Sequence, residues 1–151
     1  GPGIAQGTTS QALVGIHDLY PTILELAGVD PVDNLDARSF APELAAPGTH
    51  GDTYSQGYAE YFGSRFSLIQ RVLWHGPWKM IFNGFDFDEL YNLEDDPHEM
   101  NNLAQDEDQQ ERVRELVARI WRVIRDTGDR AILETHYYPM RFGAVGPNAA
   151  I

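Results

Sequence analysis

Val113, Leu116, Val117, Ile120, Trp121 and Ile124 recur at i, i+3, i+4, i+7, i+8 and i+11. That is the spacing of an amphipathic helix with a single apolar stripe. A stripe of this length must be covered, so the chain has to build an apolar face to receive it. Asp106 or Asp108 is placed to cap the helix, Glu107 and Glu111 lie near its positive end, and Arg119, Arg122 and Arg125 near its negative end. Gly128 supplies the stop, which puts the helix at about 107–127. Glu115 and Arg119 form an i, i+4 pair in the favourable orientation.

The receiving face is expected from the β-like stretch ahead of it. Tyr54 to Phe62 is rich in aromatics, and Phe66 to Trp74 carries Leu68, Ile69, Val72 and Leu73. His75-Gly76-Pro77 has turn chemistry, and Trp78 to Phe82 alternates with period two. Asn83-Gly84 opens a further turn, which the acidic Asp86-Phe87-Asp88 lengthens, before the short strand Glu89 to Leu93. Strands joined by tight turns favour an antiparallel meander.

The N-terminal part reads differently. Gly1-Pro2-Gly3, Gly7, Thr8, Thr9 and Ser10 have loop composition, and the absence of an initiator Met suggests a chain that starts partway through a protein. Asp18 is expected to cap a short helix with Pro21 in its first turn and Gly28 at its end. Leu19, Ile23, Leu26 and Ala27 share one face of it. Val29 to Gly51 is loop-like, with a helical turn expected around Phe40 to Ala45 and a subdomain boundary near Pro47 to Asp52. The tail after His136 is expected to be irregular.

At 151 residues, with 42% hydrophobic and 11% aromatic residues, the chain is a globular piece, not a disordered one. Eleven Lys and Arg against 23 Asp and Glu leave a net charge of −12, which argues against a nucleic-acid backbone as partner. No apolar run reaches the ~20 residues of a bilayer span. Without cysteine there are no disulfides, thiolate metal sites or cysteine nucleophiles. The nucleophile elbow fails because Thr53 stands at its first glycine position, and Gln6 breaks a dinucleotide fingerprint. The acidic run from Asp86 to Asp96 is no EF-hand, since counting from Asp86 puts Tyr91 at the glycine position and Pro97 at the twelfth. His17, His50, His75, His98 and His136 show no helical ligand spacing, so no metal site is expected. Residue patterns alone thus give a fold and no catalytic centre.

Several strings, however, resemble the sulfatases. Gly1-Pro2-Gly3-Ile4 followed by Asp18-Leu19-Tyr20-Pro21-Thr22-Ile23-Leu24-Glu25-Leu26-Ala27-Gly28 is similar to that family's P-G loop and D-x-x-P-T-x-L-x-L-A-G helix. Asp36-Ala37-Arg38-Ser39-Phe40 resembles its D-G-R-S-L turn, with Ala37 in place of glycine. Tyr58 to Tyr61, Trp78 to Ile81 and, most specifically, Glu89-Leu90-Tyr91-Asn92-Leu93 through Asp96-Pro97 to Asn102-Leu103 resemble its C-terminal subdomain.

The resemblance implies an α/β fold, locally α+β. Residues 1–48 would be the end of an alkaline-phosphatase-like α/β domain. Residues 49–151 would be a small antiparallel sheet packed by the C-terminal amphipathic helix. It further implies sulfate-ester hydrolysis by a formylglycine with a divalent cation, usually Ca2+. Neither group belongs to this chain: there is no cysteine and no S-x-P-S-R string to become formylglycine, and the resemblance places the family's Asp-Asn metal pair in stretches before the P-G loop. Both are expected upstream, so the implied partners are the upstream catalytic portion and a sulfate-ester small molecule or glycan. This piece alone is expected to be inactive, and to wall the substrate cleft through His75, His136, Trp74 and Arg71, each of which packing or solvent exposure would equally explain. The alternatives are a phosphodiesterase or phosphonate monoester hydrolase of the same superfamily, or a non-catalytic acidic binding module.

Overall fold

The computed structural model describes residues 1–63, 69–83, 86–133 and 143–149. The chain divides into two compact units, Gly1–Gly57 and Tyr58–Ile151. In order it forms α1 (Leu19–Leu26), α2 (Ala41–Ala45), β1 (Gln56–Tyr61), β2 (Gln70–His75), β3 (Trp78–Asn83), β4 (Glu89–Asn92), α3 (Gln110–Thr127) and α4 (Arg130–Leu133).

The expected meander is present as a four-stranded sheet whose order β1-β2-β3-β4 follows the sequence. β2 and β3 pair antiparallel from Gln70↔Asn83 to His75↔Trp78, and β3 pairs antiparallel with β4 from Trp78↔Asn92 to Ile81↔Glu89. Gly76 and Pro77 make the two-residue connection between β2 and β3. Gly76 has φ 55°, a left-handed conformation that glycine adopts without strain. Period-two alternation puts Leu73, Met80, Phe82 and Leu90 on the helix-facing side, where all four are buried. The reading of strand from Phe66 concerns residues 64–68, which lie outside the described residues; β2 is described from Gln70.

α3 follows the periodicity. Val113, Leu116, Val117, Ile120, Trp121 and Ile124 are all buried and join Leu73, Met80, Phe82 and Leu90 in one core. Each fully buried aliphatic side chain contributes about 1.5–3 kcal/mol, so this stripe dominates the stability of the second unit. Asp106 starts the element by accepting a hydrogen bond from the Asp108 amide at 3.0 Å, and the first turn, Glu107–Gln109, is a 3-10 turn. Gly128 ends it at φ 66°. Residues 143–149 fold back onto this core. The Trp121 indole donates to the Val145 carbonyl at 2.8 Å, Val145 packs against the cluster, and Gly143 lies against the Phe82 ring.

Arg71 stands among these apolar residues, two positions before Leu73 and opposite Phe82 in the register. It is fully buried and ion-paired with Asp129, its Nε and guanidinium NH2 donating to Oδ2 at 3.0 and 2.5 Å. A third donor reaches the Gln70 carbonyl at 2.8 Å, Glu60 lies 3.6 Å away, and the Phe62 ring centroid 4.6 Å. A buried guanidinium is tolerable only with this degree of satisfaction.

Candidate functional site

The strings that set this chain apart are built as polar staples. In the first unit, the Asp18 carboxylate accepts the Gly15 amide and the Arg38 amide, both at 2.9 Å. The sequence reading made Asp18 the N-cap of α1. Its backbone does occupy that place, but its side chain does not cap α1; it caps the preceding 3-10 turn, Ile16–Asp18, through the Gly15 amide and holds the Arg38 amide as well. Thr22 donates to the Asp18 carbonyl at 2.6 Å and accepts the Phe40 amide at 2.9 Å. Arg38 reaches the Gln56 carbonyl at 3.1 Å and lies over the Tyr54 ring, while the Tyr54 hydroxyl donates to the Ser39 carbonyl at 2.8 Å. Glu43, buried in α2, accepts from the Ser10 hydroxyl at 2.6 Å and the Gly48 amide at 2.7 Å. Those bonds, the serine's first, hold its carboxyl below the usual range.

In the second unit, Glu89 to Leu103 forms a clasp around β4. Asn102 Oδ1 accepts the amides of Leu90 and Ala104 at 3.0 and 2.9 Å, its amide nitrogen donates to the Asp88 carbonyl, and the Leu103 amide donates to the Leu90 carbonyl. Asp96 accepts the Asn101 amide at 2.8 Å, and backbone donors from Met100 and Asn101 pull its pKa down. Glu99 sits at φ 55°, an unusual conformation for a residue with a side chain. It is held there by the hydrogen bond its amide donates to the Asp96 carbonyl and by its 2.6 Å ion pair with Lys79.

Beside this clasp, where β2 starts and β3 ends, lies a cleft of about 260 Å³ lined by Gln70, Asn83, Asp86, Phe87, Glu89 and Asn102. Of these lining residues Asn83 is buried. Asn83 accepts from Gln70 Nε2 at 2.5 Å and donates to the Phe87 carbonyl at 2.7 Å and Glu89 Oε1 at 2.9 Å. The other Glu89 oxygen accepts the Tyr91 hydroxyl at 2.6 Å, which pushes that phenol up to about 12. Asp88 accepts the Asn83 amide at 2.9 Å. Burial pushes its carboxyl up to about 6, against the lowering effect of that hydrogen bond and with a smaller push from Glu89.

Three of the four residues read as cleft candidates from the sequence fall on β2. Arg71 is buried as described above. Trp74 is half-buried, points to the opposite sheet face by strand alternation, and has the Lys79 ammonium 5.6 Å from its ring centroid. His75 is half-buried at the hairpin end, paired in register with Trp78. Four residues of strand, about 13 Å, separate Arg71 from His75, so the sheet does not bring the three to one point. His136 lies outside the described residues. The residues that do converge, Gln70, Asn83 and Asn102 with Asp86 and Glu89, carry no spacing motif. Their only advance signal is a run of amides and acids at strand ends. Among the described residues, no group of three His, Asp or Glu side chains is arranged to hold a metal ion.

A family model for the C-terminal part of N-sulphoglucosamine sulphohydrolase matches residues 2–126. The chain belongs to that family. It is 32% identical to arylsulfatase K of Xenopus laevis over 114 residues, covering 69% of this chain and 21% of the relative. In solved structures, a 2-O GAG sulfatase superposes with TM-score 0.78 at 25% identity, covering 89% of this chain and 30% of that one. A protein solved with its substrate D-glucosamine-2-N,6-O-disulfate superposes with TM-score 0.74 at 26% identity, covering 83% and 27%. A phosphonate monoester hydrolase from Silicibacter pomeroyi, at 19% identity and TM-score 0.58 over 92% and 29%, shares the fold alone. The sulfatase C-terminal part therefore spans about a fifth to a third of these proteins, and its fold is that of the α/β alkaline-phosphatase-like class. Among its described residues, no helix is long and apolar enough to cross a membrane.

Proposed function

We propose that this chain is the C-terminal part of a sulfuric ester hydrolase, closing the fold of an enzyme that cleaves sulfate esters of a small molecule or glycan. One observation carries the reading: the family match over residues 2–126, whose most specific string is built as the β4 clasp. Family membership implies a formylglycine and a divalent cation such as Ca2+, which supply the nucleophile and polarise the sulfate. The residues of this chain do not fit either group. There is no cysteine or S-x-P-S-R string to become formylglycine, and no metal-binding triad among the described residues. Both belong, in this reading, to the catalytic portion upstream.

The role left to this chain is architectural, with a boundary between main domain and subdomain near residue 48 and a wall presented to the substrate. Trp74, His75 and His136 are the wall candidates, and Arg71 acts through the Asp129 pair that holds β2 to the end of α3. The test is turnover by the full-length protein containing this chain, with an aryl sulfate, an aryl phosphonate and an aryl phosphodiester compared. The expected result is sulfate release with the highest kcat/KM on the sulfate ester. A preference for phosphonate or phosphodiester would overturn it.

A further inference from the structure

A surface helix ordinarily turns its apolar stripe to the core. α1 does the opposite. Thr22 is buried on the side that carries the polar staples, while Leu19, Ile23 and Leu26, spaced i, i+4 and i+7, are exposed, as is Ile16 just before the helix. Gly28, at φ 69°, and the bond from the Val29 amide to the Leu24 carbonyl at 3.0 Å turn the chain back at the helix end. Exposed Val29 there begins a run that Val32 and Leu35 continue. Nine of the thirteen large apolar side chains that stand exposed among the described residues fall between Val14 and Leu35. Exposure so concentrated marks a face that is covered in the working molecule.

Charge and attachment decide what covers it. Residues 14–35 contain no Lys or Arg, and their exposed carboxylates are Glu25, Asp30 and Asp33. A helix that lies on a lipid surface carries cations on its polar side, so this one is not built for that. A second copy would bring these acids together, in chains of net charge −12. A segment of the same polypeptide meets neither obstacle, and its attachment holds it at an effective concentration on the order of millimolar. The chain spans about a fifth to a third of its relatives, so most of such a protein lies outside it. We infer that the outward face of α1, from Ile16 to Val29, seats on an apolar surface of the catalytic portion of the same polypeptide. The inference rests on the sulfatase reading for the identity of the occupant, while the exposed face stands on its own residues.

The experiment uses the full-length protein containing this chain, with the single substitutions Ile23→Cys and Leu26→Cys on the face and Glu25→Cys on the other side of the same helix. The chain has no cysteine of its own, so a label found within it reports the introduced thiol. Labelling by a maleimide is followed by mass spectrometry of the peptide that carries α1. Ile23→Cys and Leu26→Cys are expected to be labelled about tenfold or more slowly than Glu25→Cys in the native protein, with the difference abolished in urea. Equal native rates overturn the inference. So does protection of Ile23→Cys that is lost on dilution, which assigns the face to a second copy, or that is gained only with phosphatidylcholine vesicles, which assigns it to a membrane. Aryl sulfate turnover is read on the unsubstituted protein. Turnover with equal labelling sinks the docking face and leaves the sulfatase, whereas slow labelling of Ile23→Cys without turnover keeps the intramolecular seat and sinks the sulfatase.

Discussion

The two units of this chain are held by different forces. Among the described residues of the second, eleven buried side chains from the sheet, α3 and Ala104 form one apolar cluster. In the first, Ala41 and Tyr54 are the buried hydrophobic residues, whereas Ile16, Ile23 and Leu26 are 87%, 61% and 53% exposed. What is buried there is polar: Asp18, Thr22 and Glu43, each with its bonds made to loop backbone. The apolar face of α1 expected from Leu19, Ile23 and Leu26 exists, but it looks outward. A segment of this kind is ordered by hydrogen-bond staples that each contribute only about 1 kcal/mol net. A core like that of α3 gains more from every side chain.

Three substitutions test that contrast, all read by denaturant unfolding of the full-length protein. Ile120→Ala removes a fully buried side chain from the α3 stripe and is expected to cost about 2–5 kcal/mol. A cost under ~1 kcal/mol would mean that the helix is not the keystone of the second unit. Asp18→Ala deprives the Gly15 and Arg38 amides of their acceptor and should cost about 1–3 kcal/mol, with Asp18→Asn recovering part of it. No loss in Asp18→Ala would show that polar staples do not order residues 1–57.

The smallest effect is a pH slope. The folded pKa of Asp88, about 6, lies above its unfolded value of 3.8, so the native state binds the proton more tightly. This group therefore lowers stability as pH rises from about 4 to 6, and the loss is complete above 6. Asp88→Asn keeps an acceptor for the Asn83 amide and should flatten that slope. The opposite behaviour is expected of Asp96 and Glu43, whose lowered pKa values stabilise at neutral pH and lose that contribution only below about 4. An unchanged slope in Asp88→Asn would assign the pH 4–6 window to other groups.

The same contrast explains what was legible in the sequence. α3, the period-two strand Trp78 to Asn83 and the Gly76-Pro77 turn were readable because apolar periodicity and turn chemistry are local signals. The double engagement of Asp18 was not, since its second partner, Arg38, is twenty residues away. Arg71 was not either. Read as a cleft candidate that packing or solvent exposure would equally explain, it shows its buried place only once Asp129, 58 residues on, is seen to pair with it. The left-handed Glu99 carried no glycine to announce it. The cleft had the weakest signal of all, because its amides and acids come from three strand ends and two loops.

The strand order has a further consequence for how this unit is made. Every strand lies beside its neighbour in sequence, so each can pair as soon as the next is available, with short loops to close and little entropy lost per step. The long-range closures come last: α3 across the sheet, then Asp129 onto Arg71, then residues 143–149 onto Trp121 and Phe82. During synthesis the half-built meander would therefore present its apolar face uncovered until the ribosome had delivered the helix. That interval, rather than the finished fold, is when Leu73, Met80, Phe82 and Leu90 are open to a chaperone or to another nascent chain.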